Sequence, residues 1–402
     1  MGGFSMQSAG RLHYVDALRI AAFVILIVYH SSVAFFPDMS WLMKSAETSP
    51  LLSEVMKFPR AWRLALLFFV SGMGTWFAFR SNSGFTFLKD RFVRLFVPLI
   101  FAMCVIIVPQ VWYERMYEDG YDGSLITFWV ARYFSEGKYP EGNFTWAHMW
   151  FVAYLLVMTV LCYPIFRMII DPKMRWLTSR FEAVARSNAL YLFFLLPLAL
   201  NLVLTPIYPR QTNALYNDGA WFAVWACWFG FGFLVARHHH AIIGTIVDRR
   251  WLSASLALLL TALLYVYSWH GGNATIGSYD DMTPLYKTAI FALAWAMILA
   301  ATGFAALHLN RKSAILAWLN RKIFPLYIVH QTVILAALFY ILPMQASVAA
   351  KYMMVLALTV GVSLIFCVLA ERLPWPLRAL VGLPEQPAGA RDLATASQPV
   401  RF

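Results

Sequence analysis

Val15-Asp-Ala-Leu-Arg-Ile-Ala-Ala-Phe-Val-Ile-Leu-Ile-Val-Tyr-His-Ser-Ser-Val-Ala-Phe-Phe36 is the stretch on which the fold turns. A span of the hydrocarbon core takes about 20 apolar residues in helical form, and this segment supplies them. It also carries three ionisable side chains, Asp16, Arg19 and His30. Such groups are costly inside a bilayer and mark functional candidates there. Arg19 and His30 are eleven residues apart, about three turns plus 20°, and Asp16 and His30 are fourteen apart, which returns to within about 40°. The three therefore share one face. His30 lies about 16 Å further along the axis than Arg19.

The rest of the chain repeats the apolar pattern. Hydrophobic residues fill 61% of 402 positions and charged residues 13%, against about 25% charged in ordinary globular domains. Segments long enough to span occur at 15–36, 60–79, 95–113, 147–168, 188–207, 219–236, 251–269, 284–306, 323–342 and 349–371. The expected fold is an all-α polytopic membrane bundle of about ten helices, with membrane lipids as its surroundings. Sixteen Trp and 19 Tyr suit the two interfacial belts of such a protein. No internal repeat is evident.

With the N-terminus placed inside, the loops and helix ends on that side hold 22 of the 32 Lys and Arg, while 12 of the 20 acidic residues fall outside. This asymmetry predicts both termini on the cytoplasmic side. It also explains the formal charge of +12 without nucleic acid, for which no basic segment is long or regular enough. A competing reading makes residues 21–29 a signal-peptide core with a cleavage site near Ser32-Val33-Ala34; Asp16 and Arg19 beside that core argue against it. Residues 1–375 are read as one membrane domain and 376–402 as a disordered cytoplasmic tail poor in bulky apolar residues.

Other candidates follow from position. Arg91 and Arg94 open the third segment three residues apart, on one face, where two guanidinium groups fit a diphosphate and also fit positive-inside anchoring. His148 and Trp150 mark the outer end of the fourth helix, Arg63 that of the second, and His330 lies within the ninth. Long, amphipathic acyl-CoA suits the first helix: Arg19 holds phosphates near the cytoplasm, and the thioester reaches His30, which acts as general base or accepts the acyl group. The same spacing fits an interfacial Asp16–Arg19 ion pair with His30 as a packing residue. Cys104, Cys162, Cys227 and Cys367 show no metal-ligand spacing. The adjacent His238, His239 and His240 point three ways on a helix, so no metal site is expected. Physics alone also admits a transporter or flippase for a glycan or lipid precursor.

Five local patterns, in order along the chain, resemble the acyltransferase-3 family of membrane O-acyltransferases. They are Arg19 through His30, Phe68-Phe69-Val70-Ser71-Gly72, Arg91-Phe92-Val93-Arg94, His148-Met149-Trp150-Phe151, and Pro325-Leu326-Tyr327-Ile328-Val329-His330. Trp62-Arg63-Leu64, the stretch after His148 and Arg372-Leu-Pro-Trp-Pro-Leu-Arg378 look most similar to the branch that succinylates periplasmic glucans. The resemblance implies transfer of a succinyl or acetyl group from cytoplasmic acyl-CoA to hydroxyls of an extracytoplasmic carbohydrate, in the bacterial inner membrane, with no bound cofactor. It implies His30 as the catalytic residue and Arg19, Arg91 and Arg94 as binders of the acyl donor. Asp16, Arg63, His148, Trp150 and His330 take supporting or acceptor-side places. Ser71 and Gly72 are expected to permit close helix packing rather than to act as a nucleophile.

Overall fold

The computed structural model describes residues 12–81, 84–270 and 283–383. Among the described residues, nine helices are long and apolar enough to cross a membrane. They are α1 (His13–Phe35), α2 (Pro50–Ser81), α3 (Phe85–Glu118), α4 (Ala147–Ile170), α6 (Gly219–Arg237), α7 (Arg250–Trp269), α8 (Pro284–His308), α9 (Ala314–Ile341) and α10 (Val348–Ala370). The segment expected at 188–207 forms α5 (Asn188–Leu204), which meets the test only with the preceding helix Pro172–Arg186, from which it turns by 94°. Over the described residues the molecule is a membrane helix bundle of nine spans, or ten with the broken pair counted as one.

The turn between those two helices has a local cause. Ser187 is extended and its side chain accepts from Ala189 N at 3.1 Å, capping the next helix instead of continuing the last. Helix Pro172–Arg186 carries Lys173, Arg175, Arg180 and Arg186 and exposes Trp176, Leu177 and Val184. A basic amphipathic helix set at a right angle to its neighbour has the pattern of one lying along an interface.

Several spans begin well before their apolar stretch. α2 starts at Pro50, ten residues before its expected edge, and α9 at Ala314, where Ser313 accepts from Leu316 N at 3.3 Å. Hydropathy marks only the part of a helix that needs lipid, whereas packing sustains the rest. Lys57, in the early part of α2, is buried and donates to Trp269 O at 3.0 Å.

Helix α1 lies at the centre, in contact with α2, α8, α9 and α10. Helices α2 and α6 share the most extensive contact, and two glycines make it possible. A Cβ on Gly72 would fall 1.9 Å from Phe229 O, and one on Gly232 would fall 1.8 Å from Phe69 O. The Phe-Phe-x-Ser-Gly pattern is thus a packing device. α3 contains a π-helical turn, Ala102–Ile106, whose loosened carbonyls are taken by Tyr133 Oη (to Met103 O, 2.8 Å) and Thr332 Oγ1 (to Ile106 O, 2.7 Å).

The chain stays ordered past residue 375. Trp375–Leu380 is helical, with Arg378, Val381 and Leu383 buried, so 376–383 departs from the expected disordered tail. Buried Lys322 on α9 pairs with Glu371 just ahead of this helix and anchors the run. Residues 384–402, the rest of that tail, lie outside the described residues.

Candidate active site

α1 and α9 cross so that two residues 300 positions apart meet. His30 Nδ1 lies 3.1 Å from His330 Nε2, with the rings stacked at 5.4 Å between centroids. His330 is fully buried, and its Nδ1 lies 2.7 Å from Tyr327 O. A carbonyl oxygen only accepts, so His330 carries its proton on Nδ1, and a neutral His330 presents a lone pair at Nε2. His30 Nδ1–H then donates to that lone pair. The unprotonated nitrogen of a neutral His30 is Nε2. Hydrogen-bond geometry thus assigns the tautomer of both rings.

A third histidine completes the group. His148, in the 3-10 turn Ala147–Met149 that opens α4, is buried with its Nε2 3.0 Å from Ile328 O. Its ring stands edge-on to His330 at 5.1 Å, and Tyr327 Oη donates to its backbone oxygen. Tyr327 therefore holds both His330 and His148, one through its carbonyl and one through its hydroxyl.

His30 and His148 line a cavity of about 960 Å³ together with Arg63 and Trp150. This is at the upper end for small-molecule sites. Arg63 is not at the surface, where snorkelling would place it. It is 6% exposed, and its guanidinium sits 3.5 Å over the Tyr29 ring. A cation fixed over an aromatic face beside three histidines can stabilise developing negative charge.

The other predicted residues gather about 16 Å away along α1. Arg19 donates to Asp16 at 3.3 Å and to Asn320 at 3.1 Å. Arg91 donates to Gly74 O at 3.2 Å, and a Cβ on Gly74 would lie 3.0 Å from Arg19 Nη2. Arg91 is also in Coulombic range of Arg19 and Arg94. The structure thus forms two groups, the histidine cavity and an arginine cluster. On α1 the cavity lining reaches no further than Leu26, so packed side chains separate the two.

Sequence reasoning passed over several cavity residues. Gln110, Glu114, Tyr139, Gln331 and the Trp221, Trp225 and Trp228 face all line it. Gln110 and Glu114 carried a signal, two polar residues four apart in an apolar segment and so on one face. Gln331 follows His330 directly.

No solved structure matches this chain. A family model described as an acyltransferase domain matches residues 12–372, nearly its whole length. Two relatives from Escherichia coli, serotypes O139 and O81, both called glucans biosynthesis protein C, are 24% identical to it. The alignments cover 91% of this chain and 93% of each relative. Four of the five motifs converge on two polar groups within a bundle, the fifth packs α2 against α6, and the family model spans the same extent. The chain belongs to the acyltransferase-3 family and is a multi-pass membrane acyltransferase.

Proposed function

We propose that this protein transfers a succinyl or acetyl group from cytoplasmic acyl-CoA to a hydroxyl of an extracytoplasmic glycan, with periplasmic glucans as the acceptor and the bacterial inner membrane as its location. The observation that carries this reading is the fixed pair His30–His330, seated in a cavity with a lone pair left on His30. The bias of Lys and Arg supports a cytoplasmic arginine cluster with His30 beyond the midplane.

His30 Nε2 takes the proton of the acceptor hydroxyl as its oxygen attacks the thioester carbonyl. Arg63 faces the oxyanion of the tetrahedral intermediate. The C–S bond then breaks, the new ester forms, and the proton on His30 passes to the departing thiolate, restoring the base. His330 keeps the imidazole in the working tautomer and shares the charge that develops on it. Phosphates of the donor sit on Arg19, Arg91 and Arg94. The packed stretch between Leu26 and Arg19 opens to admit the pantetheine arm.

Mass spectrometry of periplasmic glucans and surface polysaccharide, from cells with and without the protein, tests the reading. An acyl mass difference on the glucans is expected, and identical glucan masses would overturn that acceptor. The arginines have their own test. Hydrogen bonds to charged groups are worth about 1.5–3 kcal/mol, so Arg91→Ala should raise the KM for acyl-CoA by about ten- to a hundredfold while the acceptor KM stays put. A rise in the acceptor KM alone would remove Arg91 from the donor site.

A further inference from the structure

Three residues of the cavity wall each hold a buried side-chain oxygen that makes no hydrogen bond: Gln110 Oε1, Glu114 Oε2 and Gln331 Oε1. Their residues are 1%, 6% and 4% exposed. A buried acceptor without a partner is unfavourable in a folded chain. Three of them on residues that line one cavity become acceptors for a donor-rich ligand once their side chains turn toward it.

The arrangement is built rather than incidental. Gln110 and Glu114 project from one face of α3, and Thr332 ties the π-helical turn just before them to α9. Gln331 is the residue next to that tie. The other oxygen of Glu114 accepts from Tyr139 Oη at 2.8 Å, which fixes the carboxylate. The indole N–H groups of Trp225 and Trp41 are likewise buried, without a partner, and in the lining. Trp225 is backed by Trp221, with the rings stacked at 5.2 Å, and Trp41 lies 5.9 Å from His30.

A sugar ring presents hydroxyls around its edge, each both donor and acceptor, and C–H faces above and below. With side-chain rotation toward the cavity, its hydroxyls satisfy the three oxygens and the two indoles, and its C–H face lies against indole. We propose that Gln110, Glu114, Gln331 and Trp225 form the acceptor subsite, holding a hexose residue so that one hydroxyl faces His30. The proposal rests on the reading of the protein as a glycan acyltransferase and adds which residues take the acceptor.

Leucine at Gln110 and at Gln331 removes the acceptor oxygens while keeping bulk. A structural role and a binding role then predict opposite signs. If these amides held the fold together, the variants would be less stable. As ligand acceptors they are a burden to the ligand-free protein, so Q110L and Q331L should unfold in detergent at the wild-type temperature or above it.

Calorimetric binding of a glucooligosaccharide should weaken about tenfold in each single variant and further in the pair, since about 1.4 kcal/mol is tenfold. The permethylated oligosaccharide, which has no hydroxyl donors, should not bind wild type. Acyl-CoA KM should stay within about twofold. Binding that is unchanged in the double variant, or absent from wild type, overturns the subsite. Oligosaccharide binding that depends on these residues, without transfer from any acyl-CoA, leaves the subsite standing and refutes the enzymatic reading instead.

Discussion

Alanine at His30 is expected to lower acyl transfer by about a hundred- to ten-thousandfold, the usual contribution of a positioned general base, without loss of folded protein. The stability half follows from position. His30 is only half-buried and faces a cavity, so truncation enlarges space that already exists instead of opening a void in the core. Its chief polar contact is with His330, which keeps its bond to Tyr327 O. Transfer of labelled acyl from acyl-CoA to glycan, beside thermal unfolding in detergent, reads both quantities. Retention of more than about a tenth of the wild-type rate would sink the assignment.

A companion variant separates chemistry from orientation. His330→Phe keeps an aromatic ring but removes the acceptor for His30 Nδ1–H. The imidazole can then turn or change tautomer, so kcat should fall while both KM values hold. A rise in KM without a fall in kcat would make His330 a wall residue. Rapid quenching of wild type with labelled acyl-CoA and no acceptor distinguishes base from nucleophile. The mechanism above leaves no label on the protein.

The second large effect is structural. Gly232→Ala should cost about 3 kcal/mol or more and prevent recovery of monodisperse protein, because the new methyl would lie 1.8 Å from Phe69 O and 2.7 Å from its carbonyl carbon. Both atoms belong to helix backbone, so no side-chain rotation relieves the clash; α2 and α6 must move apart. The cavity lies on the same seam. Phe68 stacks on Trp225 at 5.2 Å, and Trp225 forms part of the wall. Activity should fall with stability. Gly230 on the same helix supplies the control, since nothing lies within 4 Å of a methyl added there. Gly230→Ala should match wild type or exceed it slightly. Size-exclusion profiles and unfolding temperatures of the two variants decide the matter, and similar values for both would refute the close-packing account.

Much of this architecture was legible beforehand, and the reasons are specific. Nine of the ten expected segments are single helices, because the bilayer imposes a length and an apolarity that a sequence cannot disguise. The exception, 188–207, is half of a broken pair because Ser187 ends one helix and caps the next, a local event that averaged hydropathy does not register. The early starts of α2 and α9 escaped for a similar reason. Those turns are held by tertiary contacts such as Lys57 to Trp269 O, which carry no periodic signature. The helix at Trp375–Leu380 was hidden by its prolines and by an anchoring ion pair formed with another span.

Within the site, helical spacing alone put Asp16, Arg19 and His30 on one face, because rise and turn per residue are constants of the α-helix. Composition and charge order determined membrane class and which ends of the spans resemble one another. Neither can pair residues distant in the chain. That His30 meets His330, that Tyr327 holds His148 and His330 together, and that Gln110, Glu114 and Gln331 leave their oxygens unanswered in one cavity were decided by the crossing of α1, α3 and α9. Such crossings depend on which side chains interlock between helices. The sequence of each helix specifies its own face, and only packing specifies what that face meets.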